Sequence, residues 1–215
     1  MRSLICLFLL IHCPAAALAG AWLREEGTGF SSLSFYASEP FDEESYYTGL
    51  YLEYGLRPNL TVGFDLGRGV TGQNKTIAFA RLPIKAQGQD RLAFELGLGR
   101  IAGQQVLRPG LAYGRGFDTR WGGGWLALDS FVEFDLGDRQ VDVKSDLTLG
   151  VTLDSGRRWM VQLQAGRAAD EPEFLRIVPS TTYEIRPGWQ LELGLSKALI
   201  GARENGVKLG LWYDF

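Results

Sequence analysis

Beyond residue 13 this chain of 215 residues has neither cysteine nor histidine; Cys6, His12 and Cys13 are the full complement of both. A disulfide framework, a thiolate or imidazole metal site and any chemistry that needs an imidazole base are therefore excluded from everything downstream. No stretch after residue 20 approaches eighteen uncharged apolar residues, so no transmembrane helix is predicted. No basic run points to nucleic acid, and no motif points to a cofactor.

What is present begins with an address. Arg2 supplies a basic start, Leu4 to Ile11 is an apolar run too short to span a bilayer, and Ala17-Leu18-Ala19 fits a small-x-small cleavage rule. Residues 1–19 read as a secretory signal peptide. Cleavage after Ala19 would leave Gly20 first in a mature chain of about 196 residues, with both cysteines and the histidine gone. The net charge of −3 becomes about −4 once Arg2 is lost.

The mature chain alternates. In residues 47–68, Leu50, Leu52, Tyr54 and Leu56 share one parity while Gly49, Tyr51, Glu53 and Gly55 share the other. That is a strand with one apolar and one polar face. After Arg57-Pro58-Asn59 the pattern resumes with Leu60, Val62, Phe64 and Leu66. Pairing Leu56 with Leu60 across a three-residue turn sets Tyr54 opposite Val62, Leu52 opposite Phe64, Leu50 opposite Leu66, Glu53 opposite Gly63 and Tyr51 opposite Asp65. A one-residue slip would mix the faces. Asn59 is expected in the left-handed region, and so is Gly188 in the corresponding Arg186-Pro187-Gly188 turn, where Tyr183 would face Leu191 and Glu184 would face Gln190. Twelve strands are predicted near 28–37, 47–56, 60–68, 75–84, 91–100, 105–115, 123–134, 141–152, 159–167, 173–185, 189–197 and 205–215.

Alternation also suits a soluble barrel with its apolar face inward. Lipid outside is favoured by a second face rich in glycine and charge, which suits a polar lumen, and by Trp22, Tyr46, Tyr47, Tyr113, Trp159, Tyr183, Trp189 and Tyr213 near strand ends, as interfacial girdles require. The chain then ends GVKLGLWYDF, with Val207, Leu209, Leu211, Tyr213 and Phe215 on one parity. Here it resembles the outer-membrane β-barrel proteins of Gram-negative bacteria, whose last strand ends in an aromatic residue read by the barrel-assembly machinery. The resemblance implies an all-β, transmembrane up-and-down antiparallel barrel of about 12 strands over residues 20–215, outer-membrane lipid as its solvent, and those five residues as its assembly signal.

In hydrocarbon a sheet must close so that no backbone group is left unpaired, and a single bacterial chain then carries an even strand count with both termini in the periplasm. The RPN and RPG turns fall on the periplasmic side. The outer loops, at 37–45, 69–74, 102–105, 135–140, 168–173 and 198–205, are too short for a folded lid or plug domain.

Function has to be sought in the lumen. Parity points Glu53, Asp65, Glu95, Asp129, Glu133, Asp142, Asp146, Glu184 and Glu192 inward against Arg81, Arg108, Lys144, Arg176 and Lys208. Acid exceeds base, which would favour cations if water passes. The alternative is that these charges pair across the lumen and close it. Inward Phe30, Tyr36, Tyr51, Phe79, Trp125, Phe131, Phe174 and Trp212 could stack on a ligand or fill the space. Catalysis fares badly without histidine, because Asp129 and Glu133 lie ~13 Å apart along a strand at ~3.3 Å per residue, as do Asp142 and Asp146.

Twelve-stranded oligosaccharide porins are similar in length, strand number and terminal Phe, but their arginine-rich lumen for acidic sugars is not matched here. Nucleoside channels with aromatic pores are nearer to the inward set. The expectation is a narrow passive channel for small hydrophilic solutes with weak cation preference. A closed structural or export-associated barrel is the alternative, and a histidine-free outer-membrane enzyme ranks below both.

Overall fold

The computed structural model describes residues 20–41, 45–69, 74–169, 172–201 and 205–215; the leader expected over 1–19 lies outside them, as do parts of four expected loops. Twelve strands follow one another: β1 Gly29–Ser38, β2 Tyr46–Arg57, β3 Leu60–Gly69, β4 Asn74–Gln87, β5 Asp90–Ile101, β6 Gln104–Thr119, β7 Gly122–Asp135, β8 Val141–Leu153, β9 Arg158–Arg167, β10 Phe174–Arg186, β11 Trp189–Ile200 and β12 Asn205–Asp214. Each pairs antiparallel with its sequence neighbours, and β1 pairs with β12, closing the barrel. Among the described residues no helix is long and apolar enough to cross a membrane.

Every expected strand has its counterpart. The main differences are at the ends: β4, β6 and β11 run on to Gln87, Thr119 and Ile200, so part of the last expected loop is strand. Extra length costs nothing where both neighbours can still pair, and β6 pairs with β7 out to Thr119 and Gly122.

The register of β2 on β3 has Tyr54 opposite Val62, Glu53 opposite Gly63, Leu52 opposite Phe64, Tyr51 opposite Asp65 and Leu50 opposite Leu66. The turn itself differs from the expectation. Arg57, not Leu56, faces Leu60, and the ladder shifts between Gly55 and Arg57. A two-residue turn at Pro58-Asn59 with a bulge at Leu56 replaces the three-residue loop; both consume the same number of residues, so the faces beyond are unaltered. Asn59 is not among the residues with positive φ, in keeping with a Pro-led turn of the commonest type, whose second central residue keeps φ negative. Gly188 does take the left-handed region, at φ 79°, in the β10–β11 turn, where Arg186 faces Trp189 beside a second bulge.

The faces are inverted relative to a soluble protein. Leu33, Leu98, Leu111, Leu149 and Leu195 are exposed, Leu195 to 62%, while Glu53, Arg81, Glu95 and Glu192 on the other parity are at most 2% exposed. An exterior of leucine and valine around a charged interior is stable only if hydrocarbon is the outer solvent. At the end where β1 begins and β12 finishes, Trp189, Tyr213 and Phe215 stack in a row, with ring centroids 4.3 and 5.3 Å apart. Gly29 and Phe215 exchange backbone hydrogen bonds of 2.6 and 3.0 Å, so the seam is paired to the last residue.

Two aromatics expected in the girdles lie inside. Tyr47 shares the inward parity of Tyr51 and Glu53 and lies over Gly67 of β3. Trp22 precedes the first strand and packs in the lumen against Gly114, where a Cβ would come within 2.4 Å of its ring. It belongs to a segment that the alternation left unassigned. Residues 20–28 turn in at the terminal end of the barrel and run up its interior, with Ala21 packed against Ala93 and Ala112 of β5 and β6.

Candidate functional site: the charged lumen

Inward side chains on β2 to β6 form one chain of ion pairs. Arg24, from the inserted segment, donates from Nε to Glu53 Oε1 at 2.5 Å and from Nη1 to Asp214 at 3.3 Å. The second oxygen of Glu53 accepts from Arg81 Nη1 at 3.0 Å, and Arg81 Nη2 reaches Glu95 Oε2 at 2.7 Å. Glu95 Oε1 accepts from Arg108 Nη2 at 3.1 Å, Arg108 Nη1 donates to Asp65 Oδ2 at 2.6 Å, and Lys75 Nζ lies 2.7 Å from the other oxygen of Asp65. The ladder can skip strands where an inward glycine stands between, although Ile77 of β4 also lies between Asp65 and Arg108. Glu53 of β2 reaches Arg81 of β4 past Gly63 of β3, and Asp65 of β3 reaches Arg108 of β6 past Gly97 of β5.

Two further pairs stand apart from it. Lys144 Nζ meets Glu133 at 2.8 Å across β7 and β8, and Lys208 Nζ meets Glu192 at 2.8 Å across β12 and β11, with Trp212 Nε1 donating to the other oxygen of Glu192 at 3.0 Å. Arg158, buried at the start of β9, donates to Gln190 at 3.0 Å.

Four of the inward aromatics lie under these cations. Arg24 lies 4.7 Å over Phe30, Arg81 5.3 Å over Phe79, Arg108 4.7 Å over Phe131 and Lys208 5.5 Å over Tyr36. Phe30 and Trp212 meet edge to face at 5.7 Å, and Tyr51 stacks on Phe79 at 5.5 Å. Such faces hold the arginines in place and are not open platforms for a ligand.

Between the ladder and the opposite wall lies a cavity of about 300 Å³. Asp129 and Asp146 line it with Arg81, Arg108, Met160 and Ser180. These two aspartates are direct cross-strand neighbours on β7 and β8, and among the described residues no hydrogen bond or ion pair reaches either carboxylate. The other acids of the cavity wall, Asp65, Glu192 and Asp214, each have a cation within 3.3 Å.

Of the fourteen charged residues expected inward, the ladder thus gathers Glu53, Asp65, Arg81, Glu95 and Arg108; Glu133 with Lys144 and Glu192 with Lys208 form local pairs; Asp129 and Asp146 face the cavity; Asp142 accepts from the Ala169 backbone N–H at 2.9 Å, and Arg176 lies 5.1 Å over Phe174. Glu184 shares the inward parity of Thr182 but is exposed at the terminal end and joins none of these groups. Sequence reasoning missed Arg24, Lys75, Arg158 and Asp214. Lys75 shares the parity of Arg81, and that signal alone would have placed it inside. Arg24 lies in no periodic segment. With these cations included, the acid excess shrinks to the Asp129–Asp146 pair and the rims. Among the described residues no cluster of three or more potential ligand side chains could hold a metal ion.

No protein-family profile matches the chain, and no curated protein matches it in sequence. Solved structures do match in fold. The KdgM porin in complex with disordered oligogalacturonate superposes with a TM-score of 0.64 at 10% identity, over 86% of this chain and 99% of that one. The NanC porin gives 0.65 at 10% identity over 85% and 98%, and an outer-membrane channel from Pseudomonas putida F1 gives 0.63 at 15% identity over 91% and 98%. The chain therefore shares the fold of these outer-membrane porins and channels, spanning nearly the whole of each.

Proposed function

We propose that the protein is an outer-membrane channel, not an enzyme, which passes small hydrophilic solutes and weakly prefers cations. Its lipid-solvated exterior and the channel function of the proteins that share its fold support the location and the class. The cation preference rests on one observation: no described hydrogen bond or ion pair reaches Asp129 or Asp146 where they face the cavity, while the other acids of the cavity wall are paired, so the two keep a net negative charge even against one counter-ion. Two unpaired carboxylates in a narrow passage with low-dielectric walls concentrate cations, whereas paired charges contribute little net field. The solute must be small, since Arg24 and the ladder occupy the middle of the barrel and leave about 300 Å³. Oligogalacturonate, the ligand of the KdgM structure, is polyanionic and unsuited to an acidic pair.

The test is single-channel recording in planar bilayers with reversal potentials in a salt gradient. Wild type should show small conductance steps with cation selectivity, and Asp129→Asn with Asp146→Asn should move the reversal potential towards zero. Silence from protein shown to be inserted would favour a closed structural barrel, for which the continuous ion ladder is the supporting observation.

A further inference from the structure

The segment 20–28 ends beside Asp129, one of two cavity carboxylates that no described hydrogen bond or ion pair reaches. A Cβ built on Gly20 would lie 1.8 Å from Asp129 Oδ1 and 3.1 Å from the Ala112 methyl, so the backbone of Gly20 rests directly against that carboxylate and a side chain there would have to displace it. Behind it the segment is fixed at each step. Ala21 packs on Ala93 and Ala112, Trp22 covers Gly114, and Arg24 donates from its backbone N–H to Thr61 Oγ1 at 2.9 Å and from its side chain to Glu53. Glu26 then bridges Gly55, and the chain enters β1.

Like charges directly opposite each other on adjacent strands are destabilising, and more so where they are half-buried with no cation bonded to either, as Asp129 and Asp146 are. Arg81 acts on Asp129 at longer range, and Arg176, Lys208, Lys75 and Lys144 on Asp146. Of these five, Arg81, Lys208, Lys75 and Lys144 are each bonded to another carboxylate, and Arg176 lies over Phe174. We propose that hydrolysis of the Ala19–Gly20 peptide bond supplies the missing cation: one water is added, the leader leaves with the new carboxylate, and the α-ammonium of Gly20 seats between Asp129 and Asp146. Leader removal is then a folding event as well as an export event, because the half-buried acidic pair acquires its counter-ion only in the processed chain. The new terminus also anchors the inserted segment across the lumen. This inference rests on cleavage after Ala19 and on the described fold, and not on the channel reading.

The experiment is trace acetylation with acetic anhydride, across a pH series, on protein purified from membranes with its natural processing and held in detergent micelles. The modified N-terminal peptide is quantified by mass spectrometry against the same protein unfolded. Because two carboxylates stabilise the ammonium, the apparent pKa of the Gly20 amine should stand above the 7.7–8.0 of an ordinary α-amine, and acetylation at neutral pH should slow about tenfold for every tenfold fall in the fraction of free amine. Asp129→Asn with Asp146→Asn should return the amine to its ordinary range. The proposal is overturned if the mature chain begins elsewhere than Gly20, if the folded amine titrates no higher than the unfolded one, or if the elevation survives in the double variant, since burial alone would then protect the amine. Should the double variant not fold, each single substitution must lower the pKa, and the wild-type profile by itself remains decisive.

Discussion

Replacing Arg81 by alanine tests whether the ladder is a dry structural network or a screened, water-filled lining. Arg81 is 2% exposed and makes four hydrogen bonds: Nη1 to Glu53 at 3.0 Å, Nη2 to Glu95 at 2.7 Å and to Tyr51 at 2.8 Å, and Nε to Glu95 at 3.2 Å. Its removal leaves Glu53 with Arg24 alone and Glu95 with Arg108 alone, and leaves the Tyr51 hydroxyl with Glu53 as its recipient. Breaking a buried ion pair on one side costs about 3–5 kcal/mol, whereas exposed pairs contribute under about 1 kcal/mol. The expected loss for Arg81→Ala is in the first range. It is to be measured by equilibrium urea unfolding of the barrel in lipid vesicles. Arg81→Lys, which keeps the charge but cannot bridge two carboxylates with a planar fork, should fall between wild type and alanine. A loss below about 1 kcal/mol for alanine would refute the reasoning, because it would mean that water solvates these groups and the ladder only lines a wet pore.

Deleting Phe215 removes both backbone hydrogen bonds to Gly29 and the stack on Tyr213, so membrane yield should fall; unchanged yield would count against an assembly role for the terminal strand. Leu195→Arg, on the exposed face of β11, should cost about 2–4 kcal/mol in the same unfolding assay if that face meets the bilayer midplane, and no loss would argue against lipid there. A chain processed to begin at Thr28 lacks Trp22 and Arg24 in the lumen and should conduct more than wild type; equal conductance would show that the segment does not obstruct the path. Ser180→Phe removes no member of an ion pair, fills part of the cavity and should lower conductance while leaving the unfolding midpoint near wild type. A drop in stability with no change in conductance would place the path elsewhere.

Much of this architecture was legible because a period of two carries both register and face. Glu53 opposite Gly63 and Glu184 opposite Gln190 follow from parity alone. The Leu56–Leu60 pair failed because a two-residue turn with a bulge and a three-residue loop use equal numbers of residues and preserve the same faces beyond. The lumen was legible as a set of residues and illegible as a set of bonds. Parity says that Asp65 and Arg108 both point inward; that they meet depends on barrel curvature and on what lies between, here Ile77 and Gly97. Arg24 and Gly20 carried no signal, since a short segment with no period can follow any path until the barrel closes around it.

The two walls of the lumen differ in kind, and that difference bears on where a solute could go. From β2 to β6 the wall is the ladder of alternating acid and base, with the inserted segment seated against it. From β8 to β11 a neutral polar stretch of Thr148, Gln162, Gln164, Ser180, Thr182 and Gln190 lies among the charged residues Lys144, Asp146, Arg158, Arg176 and Glu192. A charged wall in which each group is held by two partners resists rearrangement, because moving one side chain exposes several others. Neutral hydroxyls and amides exchange hydrogen bonds with water at little cost. The ladder is therefore suited to hold register, since a one-residue slip of β4 would turn Arg81 into hydrocarbon and strand Glu53 and Glu95 without their partner. The neutral stretch is suited to let a hydrated solute pass, with Asp129 and Asp146 standing at the junction between the two.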